Sequence, residues 1–131
     1  MEVKTDTKEK FHVIRVETSN LSANMAADLN RQLVELLKDN TKNVVVNLRG
    51  VKSMEEEAAE ILVRIQQKFY ESGASFVFCE IPKNLESFLD EKKLLELMNV
   101  TPTESEASDI VQMEEIEREL LGDDEFEEEK E

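Results

Sequence analysis

The segment spanning residues 43–62 constrains this chain more than any other. Asn43-Val44-Val45-Val46-Asn47-Leu48 is an apolar run without polar alternation, the pattern of a strand covered on at least one face and flanked by neighbours inside a sheet. It belongs at the sheet centre. Arg49-Gly50-Val51 then leaves the strand, and three consecutive acids, Glu55-Glu56-Glu57, open a stripe of Ala58, Ile61, Leu62, Ile65 and Phe69 at helical spacing. Ser72-Gly73 ends that helix, because glycine accepts the left-handed conformation that follows a last turn.

The flanking segments extend this strand-helix unit in both directions. Residues 2–5 and 10–17 are rich in valine, isoleucine and phenylalanine, with the charges of Lys8-Glu9-Lys10 between them, and predict an opening pair of strands. Ser22 offers a cap for a helix carrying Met25, Ala26, Leu29, Leu33, Leu36 and Leu37, which Asp39-Asn40 stops. Residues 75–81 read as a second buried strand, broken by Pro82. Asn84 is the expected cap of a third helix bearing Leu85, Phe88 and Leu89, and residues 94–98 lead to a short strand around Val100. Thr103-Glu104-Ser105-Glu106 fits a capping box, and the helix behind it carries Ala107, Ile110, Val111, Met113, Ile116 and Leu120. The expected order is ββαβαβαβα, an α/β fold with parallel pairs, right-handed crossovers and an antiparallel edge.

At 131 residues the chain falls in the usual range of one domain, long enough to bury a core without disulfides. We expect a domain over residues 1–121 and a disordered acidic tail over 122–131, where like charges repel around a single Phe126. The formal net charge is -15, and eleven of the acids lie in residues 114–131. Such a surface repels phosphate backbones and anionic headgroups, so neither nucleic acid nor membrane insertion is expected. The tail reads either as a solubilising extension or as a lure for a basic surface. The single cysteine, Cys79, and the charged residues directly after Met1 make a reducing cytoplasm the expected location.

The pieces that carry a family resemblance are Val13-Ile14-Arg15-Val16, the run from Asn43 through Val51, Ser72-Gly73-Ala74, Leu85-Glu86-Ser87-Phe88-Leu89 and Leu94-Leu95-Glu96-Leu97-Met98-Asn99-Val100. In this order and spacing they resemble the STAS domain, shared by anti-sigma factor antagonists and the cytoplasmic tails of sulfate transporters. The resemblance covers nearly the whole chain. In that family the second helix usually starts with Asp-Ser-Ser-Gly, whose second serine is phosphorylated to control partner binding. The matching positions here are Glu55, Glu56, Glu57 and Ala58, so a carboxylate stands at the phosphoacceptor position and no hydroxyl remains in the motif. Ser53 falls where the family has a buried or aromatic residue and is a poor substitute acceptor.

The resemblance implies a non-catalytic protein-interaction module with a surface formed by Glu55, Glu56, Glu57, Ala58 and Ala59 and by the loop Ser19, Asn20, Leu21 and Ser22. It implies as partner an anti-sigma factor or a serine kinase of the histidine-kinase-like ATPase class. A structural subunit of a larger assembly, stressosome-like or lipid-transporting, is the alternative. Phosphoserine carries about -1.5 to -2 charges and three acceptor oxygens against one charge on a planar carboxylate, which makes Glu57 a partial mimic. The three acids also have a plain reading as a helix start, since carboxylates there face unpaired N–H groups and each contributes about 0.3–1 kcal/mol. Ser53-Met54-Glu55-Glu56 even fits a capping box, which would begin the helix earlier.

Other chemistry finds little support in these residues. Adjacent glutamates on a helix point about 100° apart and rarely converge on one cation, so no metal is expected. His12, between Phe11 and Val13, has no second ligand or acid at useful spacing and reads as a packed residue. Cys79 resembles a small buried hydrophobe. Gly50, Gly73 and Gly122 are too dispersed for a phosphate-cradling loop. No cofactor is implied, and without a nucleophile-base pair no enzyme is expected.

Overall fold

A computed structural model describes residues 1–121 in full. Beyond Leu121 only the course of the last helix is described, to Lys130, so the tail expected over 122–131 lies outside the fully described residues. The chain forms β1 (Glu2–Thr7), β2 (Phe11–Glu17), β3 (Asn20–Leu21), α1 (Ala23–Glu35), β4 (Asn43–Asn47), β5 (Ser53–Met54), α2 (Glu56–Glu71), β6 (Phe76–Cys79), α3 (Lys83–Glu91), β7 (Val100–Thr101) and α4 (Glu104–Lys130), with 3-10 turns at Leu36–Lys38 and Leu95–Leu97. The main sheet has the order β1-β2-β4-β6-β7. β1 is antiparallel to β2 and the remaining pairs are parallel. This is the mixed α/β architecture read from the sequence, with β4 in the middle. The addition is a separate parallel pair, β3 with β5, which matches Asn20 to Ser53 and Leu21 to Met54.

The crossovers after β2, β4 and β6 all step the same way along the sheet, so right-handedness delivers α1, α2 and α3 to one face. Strand alternation then divides the core. Ile14, Val16, Val44, Val46, Phe76 and Phe78 meet Leu29, Leu33, Leu62, Ile65, Phe69, Leu85 and Leu89 on that face. The rings of Phe69 and Phe76 lie 4.9 Å apart, and each such side chain contributes about 1.5–3 kcal/mol relative to exposure. The opposite face offers Phe11, Val13, Val45, Val77 and Cys79, covered by Ala107, Val111 and Ile110 of α4.

Polar groups hold α4 where its apolar contacts are few. Asn47, at the C-terminal end of β4, donates to Glu104 Oε1 at 3.0 Å, while Arg15 donates to Glu104 Oε2 at 2.9 Å. At the other end of the strand, Asn43 Nδ2 donates to Lys10 O and to Glu115 Oε1, and its Oδ1 accepts from Ser75 N and Arg118 Nη2. Thus α4 runs antiparallel to β4 and is clamped at both ends of it. Tyr70 adds a 2.7 Å hydrogen bond to Glu114.

Helix starts agree with expectation in part. Ser22 Oγ accepts from Met25 N at 3.2 Å, and Thr103 Oγ1 from Glu106 N at 3.1 Å. The expected cap at Asn84 is corrected: α3 begins at Lys83 with Pro82 at the cap position, where the fixed φ of proline suits a helix entry. Gly73 has φ +76°, as its place after α2 requires.

Candidate functional site

The strand-helix junction after β4 is tied to the loop after β2 by backbone as well as side chains. Lys52 N and Ser53 N both donate to Ser19 O at 3.0 Å, and Glu55 N donates to Leu21 O at 3.0 Å. Glu55 caps α2 with extended backbone, φ -72° and ψ 147°. Its side chain makes no bond to its own helix; instead Glu55 Oε1 accepts from Ala23 N at 2.7 Å, at the start of α1. One carboxylate therefore serves as a brace between two helix N-termini, where its charge is favoured by both sets of unpaired N–H groups.

The earlier start suggested by a capping box at Ser53 is corrected. Ser53 belongs to β5, and its hydroxyl donates to Asn20 Oδ1 at 2.9 Å, so pairing with the loop has taken the group that a cap would need. Ser53 is exposed rather than buried. The three glutamates are all exposed and diverge. Glu55 turns to α1, Glu56 lies 3.6 Å from Lys92 Nζ, and Glu57 has no ion-pair partner among the described residues. Lys92, which also sits 5.9 Å from the Phe88 ring of its own helix, thereby places the end of α3 beside the start of α2.

The expected contact surface is brought together, with three corrections. Leu21, Ala58 and Ala59 are each 0% exposed and pack in the core, because the inward side of the first turn of α2 needs small residues beneath β3 and β5. They support the surface from below. The outward set is Ser19, Asn20, Ser22, Glu55, Glu56 and Glu57.

Beside this surface lies a feature that periodicity does not announce. A cleft of about 840 Å³ opens at the C-terminal ends of β2, β4 and β6, lined by Arg15, Ser19, Asn47, Arg49, Glu80 and Glu104. Gly50 lets the loop pass close, since a Cβ there would lie 3.2 Å from Val16 O. Glu80 ends β6 with φ +54°, a strained value for a residue with a side chain, and its Oε2 accepts from Glu104 N at 3.3 Å. Glu17 also lines the cleft, so its charges are mixed; Arg15 is paired with Glu104, whereas Arg49 pairs with no carboxylate among the described residues. The signal that could have found it is the position of Arg15, Asn47 and Arg49 at the carboxyl ends of parallel strands, where α/β sheets open.

The buried cysteine and histidine take structural places. Burial pushes the Cys79 thiol up to about 12, and the charges of Glu80 and Glu104 add to that effect against the opposing pull of Arg15. Cys79, Glu80 and Glu104 bring potential ligand atoms within 4.8 Å of one another. Glu104 already serves Arg15 and Asn47, and Glu80 accepts from Glu104 N, so both carboxylates are engaged by other groups of the chain. His12 is 5% exposed; its Nδ1 lies 2.9 Å from Thr7 Oγ1 and its Nε2 2.9 Å from Thr41 O.

A family model for the STAS domain matches residues 2–107. This chain belongs to the STAS domain family. Among solved structures, the Thermotoga maritima protein TM1081 is 19% identical with TM-score 0.70, covering 84% of this chain and 94% of its own. A serine-to-glutamate variant of Moorella thermoacetica RsbS is 17% identical with TM-score 0.71, covering 86% and 96%. The anti-sigma factor antagonist SpoIIAA in its unphosphorylated form is 12% identical with TM-score 0.67, covering 85% and 96%. At these identities the likeness concerns the fold. No curated protein matches this STAS chain. Among its described residues no helix is long and apolar enough to cross a membrane.

Proposed function

We propose that this STAS domain is a non-catalytic protein-interaction module of the anti-sigma factor antagonist kind, set permanently by a carboxylate where relatives of that kind use a serine. The observation that carries this is Glu57, exposed on the first turn of α2 at the end of the central strand, free of ion pairs among the described residues, and flanked by a loop that Glu55 braces against it. The fold shared with SpoIIAA and with a glutamate variant of RsbS supports the same reading. The partner class is an anti-sigma factor or a serine kinase of the histidine-kinase-like ATPase type. It reads the fixed charge of Glu57 together with Asn20, Ser22 and Arg49. No kinase switches this surface at position 57.

The test compares wild type, Glu57→Lys and Glu57→Ser as bait in extracts of the native cell, with captured proteins quantified by mass spectrometry. A protein of the stated class retained by wild type and lost at least tenfold by Glu57→Lys is the expected result. Equal capture by all three would assign the acids to the helix start alone. Phosphate incorporated into Glu57→Ser but not into wild type would identify the kinase whose control the carboxylate has replaced.

A further inference from the structure

α4 reverses its amphipathic sense part-way along. Its first turns place Ala107 and Val111, both 0% exposed, against the sheet. Beyond them the sheet-facing side becomes polar: Glu114 meets Tyr70, Glu115 meets Asn43, and Arg118 meets Asn43 and Ser75. The outward side becomes apolar in the same stretch. Met113, Ile116 and Leu120 are 58%, 56% and 61% exposed and recur at helical spacing, so they form one row on the side turned away from the sheet. Had packing against the sheet been their purpose, a different rotation of the helix would have buried them. The clamps at Glu104, Glu115 and Arg118 prevent that rotation.

We infer that the row Met113, Ile116 and Leu120 is a second docking surface, for a helical protein segment whose apolar face is bordered by lysine or arginine. Charge selects this occupant. Asp109 and Glu117 are exposed beside the row, as is Glu119, which lies 3.7 Å from Lys10 Nζ, and the whole chain carries -15. A second copy would set these carboxylates against their own kind, and an anionic bilayer would do the same. A partner with basic borders instead gains complementary charge around an apolar centre, the arrangement used by helices that lie along one another through i, i+3 and i+7 anchors. This surface lies on the α4 face of the sheet, whereas Glu57 lies on α2, which packs on the other face. The two contacts are independent.

The probe is a synthetic leucine-lysine peptide that forms a helix with one apolar face, titrated into the full chain and followed by side-chain methyl and backbone NMR. Shifts centred on Met113, Ile116 and Leu120 are expected, with binding weakened at least tenfold in Ile116→Ser/Leu120→Ser and unchanged in Glu57→Lys. Because the substituted side chains are exposed, the double variant should keep the wild-type thermal midpoint, which is measured alongside. Affinity unchanged by the double variant, or shifts spread over the acidic surface at large, would overturn the inference. So would a wild-type dimer in sedimentation that the double variant dissolves, which would make the occupant a second copy, or equal binding by a leucine-glutamate peptide.

Discussion

Two sets of acids at helix N-termini and along one helix face have opposite fates in this molecule. Glu55, Glu56 and Glu57 open α2 in solvent, and only Glu55 is tied to backbone. Glu104 and Glu115 on α4 are drawn down to the sheet, where Asn47 and Asn43 meet them. Glu57 and Glu104 both sit in the first turn of a helix and feel similar fields there, so the difference between them comes from what faces the carboxylates. A glutamate with a buried amide waiting for it becomes part of the scaffold, while one that meets only water remains available to another molecule.

The sharpest way to break this contrast is Asn43→Ala. Asn43 is 2% exposed and makes four hydrogen bonds, to Lys10 and Ser75 just ahead of β2 and β6 and to Glu115 and Arg118 of α4. Its loss orphans the buried Ser75 N–H and removes one of three acceptors of the Arg118 guanidinium, and a destabilisation of about 3 kcal/mol is expected in urea unfolding. Glu104→Ala should follow at about 2 kcal/mol, since Arg15 and Asn47 lose their shared acceptor at a partly exposed position.

Acid gives the third test. The hydrogen bond from Asn43 holds the Glu115 carboxyl below the usual carboxylate range, with Arg118 assisting against some burial. A depressed folded value means stability that is present above the unfolded value and lost as pH falls through the folded one. Unfolding free energy measured from neutral pH into the acid range should therefore decline, and less steeply in Glu115→Gln. The smallest effect belongs to the other set: Glu57→Ala should change stability by less than about 0.5 kcal/mol in the same assay. A loss comparable to that of Glu104→Ala would show that position 57 belongs to the scaffold after all.

Alkali offers a further probe of the α4 side. The Tyr70 hydroxyl is pushed up to about 12, first by burial and then by Glu114, and Cys79 to about 12 by burial. Both folded values exceed the unfolded ones, so stability should be full below about pH 9 and fall as pH rises toward 12. Thiol reagents should label Cys79 only as the chain unfolds.

Much of the fold was legible because its elements carry their own periodicity. Val44-Val45-Val46 announces a covered strand, and Leu62, Ile65 and Phe69 a helix face. β3 and β5 were not legible, since two residues hold no period and their pairing is a tertiary event between Leu21 and Met54. The same limit hid the strand role of Ser53, whose spacing imitates a cap. At the site, the exposed glutamates followed from sequence, while the burial of Ala58 and Ala59 followed from side-chain direction that a motif does not encode. The brace from Glu55 to Ala23 joins residues far apart in sequence, and only folding reveals it.

The paired clamps on α4 also act as a gauge of length. The five residues of β4 are matched to the helical span between Glu104 and Glu115, and the match holds only in one phase. A single residue inserted into that span would turn everything beyond it by about 100°, carrying Arg118 off Asn43 and swinging the outer leucine and isoleucine toward the sheet. Substitutions on the outer row are therefore tolerable to the scaffold, whereas a change of one residue in helix length is not.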